Sequence, residues 1–257
     1  MSVSFIPGFD PPLLIFLFLT VLAAYTAFGA TGFGSSVIAV PMLAHWFPLT
    51  FAVPFVASLD LVATIMASYR QWRFARLDEL RRIAPALLLG ILAGTTLLVR
   101  LARAPALLAL GIFVTSYGLM MATRRLENVR VPAGWSWPLG FAGGVFSALF
   151  GTGGPLYMIY LAGRITDRRE LRATSSVLIA VSVAVRIAAF ATSGLLLQPG
   201  LPTLALIMLP VLLAGYALGS RVHHALSQRS LMRALCALLI ANGVILIVRS
   251  LALMDGR

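Results

Sequence analysis

The sequence predicts an all-α integral membrane protein made of two inverted repeats, each a broken, re-entrant helical hairpin followed by three transmembrane helices. Three observations carry that expectation. The 257-residue chain is 60% hydrophobic and 11% charged, with a mean hydropathy of +0.96, an apolar excess that no ordinary soluble core requires. It matches itself at a nearly constant offset, and its arginines concentrate on one side of a bilayer only if the two interrupted runs are re-entrant.

Apolar runs long enough to cross a hydrocarbon slab of ~30 Å, about 20 residues as helix, lie near 50–69, 83–99, 104–123, 172–195, 201–220 and 231–251. Two further runs, 13–47 and 135–163, fit poorly as single spans. The first contains FGATGFGSSVIAVP (Phe28 to Pro41) and the second ALFGTGGPLYMIY (Ala148 to Tyr160), where glycines and hydroxyl residues interrupt the apolar pattern. No basic residue precedes the first run, which continues far past the h-region of a secretory signal, so it reads as part of the mature protein.

Shifting the chain by 125 residues aligns PALLLGILAG (Pro85 to Gly94) with PVLLAGYALG (Pro210 to Gly219). The register continues through Leu101/Leu226, Leu110/Leu235, Gly118/Gly243 and Arg124/Arg249, and upstream it drifts to about 121, where Thr31-Gly32 meets Thr152-Gly153. The expected organisation is a single membrane domain over 1–257, with repeat 1 at about 13–126 and repeat 2 at about 135–251.

Orientation follows from the 20 arginines, there being no lysine. Eight ordinary crossings would leave ten on one side and nine on the other, which breaks the positive-inside bias either way. If 13–47 and 135–163 instead enter, turn at their glycines and leave by the same face, with the N-terminus outside, fifteen become cytoplasmic and four face outward. The returning arms would be roughly Val37 to Phe47 and Pro155 to Gly163, half a membrane long, and the entering arms about 16 residues each.

The net charge of +12 is explained by this loop anchoring, without nucleic acid as a partner. Cys236 is the single cysteine, so there is no disulfide framework and no thiolate site. His45, His223 and His224 have no acid or cysteine at ligand spacing, so neither a metal nor another cofactor is expected. A homodimer is left open.

A helix interrupted at midplane must have its backbone buried in protein or lining a cavity. The first amides of each returning helix lack intrahelical acceptors and carry the positive dipole end, a docking point for an anion. The candidate donors are Thr31, Gly32, Phe33, Gly34, Ser35 and Ser36 in the first half and Gly151, Thr152, Gly153 and Gly154 in the second. A small tetrahedral or pyramidal oxyanion would suit them. Gly90, Gly94, Gly215 and Gly219, at small-xxx-small spacing, read instead as helix-packing positions.

Asp60 and Arg186 are the charges left inside apolar spans, in corresponding helices of the two halves. Charges at that depth face a cavity or one another. Three roles are open: a structural pair, anion binding by Arg186, and carriage of a coupling proton by Asp60. Ser58, and Thr174, Ser175 and Ser176, sit early in the same two spans, where their hydroxyls line a cavity or bond a carbonyl one turn back.

GATGFGSSVIAVPML followed by Ala57-Ser58-Leu59, and FGTGGPLYMIY followed by Ala173-Thr174-Ser175-Ser176, resemble the TauE/SafE sulfite exporters, or toluene-sulfonate uptake permeases, over roughly 13–251. The resemblance implies a secondary carrier for sulfur-containing anions such as sulfite or sulfoacetate-like organosulfonates, in a bacterial inner membrane. It places Gly29, Thr31, Gly32, Gly34, Gly151, Gly153 and Gly154 at the family's glycine turns, and Ser58 and Thr174-Ser175 at its Thr-Ser element; the first element lacks the usual threonine. The remaining alternatives are a passive anion channel and, from another class, a membrane-embedded enzyme, for which the interior offers one acid and no nucleophile beside a base.

Overall fold

A computed structural model describes residues 11–32, 34–69, 71–123, 131–225 and 228–255. Among them are ten α-helices and three short 3₁₀ turns, with no strand. The helices are α1 (Pro11–Thr31), α2 (Ser35–Leu43), α3 (Leu49–Ser68), α4 (Leu77–Arg100), α5 (Arg103–Thr123), α6 (Ser136–Phe150), α7 (Gly154–Ala162), α8 (Arg168–Thr192), α9 (Leu201–Ala225) and α10 (Gln228–Asp255). Helices are what an apolar chain must form in lipid, because only they satisfy every amide and carbonyl within one segment.

Seven of these helices are long and apolar enough to span a membrane, one more than the six full spans expected. The addition is α1. It has 21 residues, about 31 Å at 1.5 Å per residue, and not the 16 expected of an entering arm, because the helix runs on through Phe28, Gly29 and Ala30 to Thr31. Its partner α2 and the equivalent α7 have nine residues each, about 14 Å and half a bilayer.

At the centre α3 and α8 lie antiparallel. The Gln198 side chain donates to the Thr50 carbonyl at one end (2.7 Å), and the Arg76 amide donates to Thr174 Oγ1 at the other (2.9 Å). Around them α1 packs on α9, α6 on α4, and α5 on α10. Glycines set how close these pairs come. A Cβ on Gly90 would lie 2.2 Å from the Phe141 carbonyl oxygen, and one on Gly219 would lie 2.0 Å from that of Thr26. In lipid, where apolar surface gains nothing by leaving its neighbours, such backbone approach is a main source of helix association.

The same contacts give direction. Along α4, Ile83 faces Gly140 and Gly94 faces Val145 and Ala148, so α6 runs parallel to α4; along α9, Gly215 faces Leu22 and Gly219 faces Thr26 and Ala30, so α1 runs parallel to α9. The α6–α7 hairpin is closed at its open end by the Val131 amide on the Gly163 carbonyl (3.2 Å). There Arg164 meets Glu79 at 2.9 Å and Arg76 meets Glu170 at 3.3 Å. Hydrogen bonding to Glu79 raises the Arg164 pKa further above its ordinary value. The open end of α1–α2 lies at the other pole, where Arg249 Nη1 donates to the His45 carbonyl and Ser250 Oγ to that of Ala104 (2.8 Å). The two hairpins therefore enter the bundle from opposite ends.

Gly90→Ala and Gly219→Ala are expected to lower the thermal midpoint of the detergent-solubilised protein, each by an overpacking cost of about 1–3 kcal/mol. Gly134→Ala, whose Cβ would meet nothing within 4 Å, should leave it unchanged; equal midpoints for all three would refute this packing.

Candidate functional site

The two interrupted helices meet beside the α3–α8 pair. Gly34, at φ 95°, turns the chain into α2, and Gly151, at φ 72°, ends α6; both are left-handed conformations that a side chain would strain. A Cβ on Gly151 would lie 2.7 Å from Ser36 Cβ and 3.1 Å from Arg186 Nη1. The tips thus touch, and Arg186 reaches them.

They enclose a cavity of about 40 Å³, lined among others by Gly34, Ser35, Ser36, Asp60, Gly151, Gly153, Gly154 and Arg186. That is room for about three water molecules, at roughly 10–15 Å³ each, or for the head of one small oxyanion. Asp60 and Arg186 are 3% and 1% exposed and form an ion pair of 3.3 Å. The Asp60 carboxylate also accepts from Tyr25 (2.8 Å), Ser35 (2.7 Å) and Ser36. Arg186 Nη1 donates to the Ser147 carbonyl near the end of α6 (2.8 Å).

Each buried charge therefore sits at the helix end of opposite sign: a carboxylate at the start of α2, a guanidinium at the end of α6. Arg186 Nε and Thr152 Oγ1 are buried without a hydrogen-bond partner among the described residues. Ser147, Tyr157 and Ser182 complete the wall, with Ser182 Oγ 2.9 Å from Ser147 Oγ and 3.1 Å from the Tyr157 hydroxyl.

The other residues singled out from the sequence fall in different places. Thr31 and Gly32 line a neighbouring cavity with Ser175 and Ser176; Thr31, Ser175 and Ser176 bond the carbonyls of Ala27, Leu171 and Arg172 one turn back. Ser58 bonds the Pro54 carbonyl (2.9 Å), and Thr174 is spent on the Arg76 amide; neither lines either cavity. Phe33 lies outside the described residues, as do the side chains of His223 and His224. Tyr25, Ser147, Tyr157 and Ser182 were not foreseen. Of these, Ser182 has a signal in the sequence, lying one helical turn before Arg186 and so on its face. Among the described residues no three His, Cys, Asp or Glu side chains are grouped to hold a metal.

A helical membrane bundle with two broken helices and a small polar cavity between them is the architecture of a transporter. The chain matches the model of the family described as Sulfite exporter TauE/SafE over residues 17–246, and it belongs to that family. It is also similar to the probable inner membrane transporter protein TsaS of Comamonas testosteroni, with 28% identity over 190 residues, 74% of this chain and 80% of that one. No solved structure matches. The protein is a multi-pass inner membrane transporter.

Breaking the buried pair from one side is expected to be costly. Asp60→Asn or Arg186→Gln alone should lose about 3–5 kcal/mol of stability, and the double variant should recover part of it in a denaturation cycle. Strictly additive losses would show that the pair is not coupled.

Proposed function

We propose that the protein is a secondary carrier that exports a small sulfur-containing oxyanion, sulfite or an organosulfonate such as sulfoacetate, from the cytoplasm. The observation that carries this reading is the convergence of both helix interruptions and Arg186 on one buried cavity of about 40 Å³. The anion docks at the start of α7, where Gly154 opens the wall, and takes Arg186 Nε with the Tyr157 and Ser182 hydroxyls. The names of the family and of the relative support the substrate class and transport itself.

In this reading the halves are inverted repeats of about 13–126 and 135–251, and they rock about the shared site to give alternating access. Packing supports it: α1 on α9 and α6 on α4 are the same contact with the halves exchanged. The fifteen-to-four arginine count sets the end bearing Arg76 and Arg164 in the cytoplasm.

Asp60 already accepts from the Ser35 and Ser36 hydroxyls at the start of α2. A second anion about 4 Å from an ionised carboxylate is repelled by about 4 kcal/mol at an effective dielectric of about 20, so a proton on Asp60 would admit the substrate and leave with it, the substrate's own outward gradient driving export. Proton coupling then comes from one residue. Asp60→Asn should abolish pH-driven accumulation in proteoliposomes yet spare exchange of labelled substrate; accumulation that still follows the pH gradient would exclude Asp60.

Gly154 offers the cleanest test of the site, because a Cβ there meets only Ile179 Cδ1 at 3.9 Å. Gly154→Val should cut sulfite flux at least about tenfold, as expected when a reacting or docking position is filled, and leave the thermal midpoint unchanged. Undiminished flux would reject the site.

A further inference from the structure

A second cavity, of about 290 Å³, adjoins the central one at the arginine-rich end, and Ile179 lines both. The residues that α8 gives to the two cavities include Arg168, Arg172, Ser175, Ile179, Ser182 and Arg186. They recur every three or four positions, which puts them on one face of the helix. That face runs from the aqueous end to the ion pair. A third cavity, at the opposite pole around Pro48 and Arg103, shares no lining residue with the central one.

The charges at the mouth are distributed unevenly. Three neighbouring arginines are engaged: Arg76 with Glu170, Arg164 with Glu79, and Arg169 over the Phe74 ring at 3.7 Å. The acids are spent too, since Asp167 caps α8 by accepting from the Arg169 and Glu170 amides. Arg168 and Arg172 line the cavity and have no ion-pair partner among the described residues. Two guanidiniums one turn apart on a helix repel each other, and an anion between them removes that repulsion. Both arginines are exposed, and a cleft lined by one sign of charge concentrates counter-ions.

We propose that Arg168 and Arg172 form a second oxyanion site, one that collects a sulfonate or sulfite anion from the cytoplasm before it passes Ile179. Gln71, Ser175 and Ser176 line the same wall, and Gln71 Nε2, which gives one N–H to the Ala67 carbonyl, has a second to offer. The site is separate from the central one. Arg172 and Arg186 are about 21 Å apart along α8 at 1.5 Å per residue, too far for one small anion to touch both. The collecting role rests on the carrier reading above; the binding of anions does not.

The test keeps those two apart. In a Cys236→Ser background, Ser176→Cys is modified by anionic sulfonatoethyl methanethiosulfonate and by neutral methyl methanethiosulfonate. The anionic-to-neutral rate ratio should fall about tenfold or more when Arg168→Gln and Arg172→Gln are added, and Arg168→Lys with Arg172→Lys should restore it. In proteoliposomes the glutamine pair should raise KM for sulfite presented at the cytoplasmic face, leave the maximal rate unchanged, and leave KM from the other face unaltered. A rate ratio that the glutamine pair leaves unchanged overturns the site. A ratio that falls while wild-type protein moves no sulfite or sulfonate upholds the site and overturns the carrier reading.

Discussion

Lipid cannot hydrogen-bond a main chain, and everything distinctive here follows from two places where the main chain stops being helical inside the apolar region. Each stop leaves amides at one helix start and carbonyls at another helix end, and these must find partners within the protein. Residues Ser147, Gly151, Ser35 and Ser36 cluster for that reason. So do the only charges buried in the middle of the bundle among the described residues, Asp60 and Arg186.

The pairing has two consequences that pull in opposite directions. It places a guanidinium on the Ser147 carbonyl at the end of α6 and a carboxylate beside the start of α2, each charge complementing the helix dipole there. It also takes up the Ser35 and Ser36 hydroxyls at the start of α2 with an internal carboxylate, which in the proposed function a substrate anion has to accommodate. Under that proposal the groups left for the anion are the start of α7, Arg186 Nε, which has no hydrogen-bond partner among the described residues, and two hydroxyls. So constrained, the proposed site would favour a small, singly charged head with several oxygens over a larger anion.

Much of this was legible in the sequence, and the limits have a physical cause. Long apolar runs fix helices, and paired glycine clusters at a repeat offset mark where helices break. Small-xxx-small spacing identified Gly90, Gly94, Gly215 and Gly219 as contacts between backbones. Hydropathy alone could not place the end of α1, because Gly29 and Ala30 are as compatible with a continuing helix as with a turn, and the α1 helix ends only at Thr31. Distances across helices were out of reach as well. Tyr25 is the one aromatic of α1 that carries a hydroxyl, but no local pattern names the partner of that hydroxyl, Asp60 at 2.8 Å. Thr174 sits at a position matching the family's Thr-Ser element but is held by the Arg76 amide, a contact between residues 98 apart that no local pattern announces.

The central claim is that the α1–α2 and α6–α7 hairpins approach the same cavity from opposite faces of the membrane. Single cysteines at Pro48 and at Thr166, in a Cys236→Ser background, report it through labelling by a membrane-impermeant maleimide in right-side-out and inverted vesicles. Pro48→Cys should label only in right-side-out vesicles and Thr166→Cys only in inverted ones. Labelling of both positions from the same face would contradict the account.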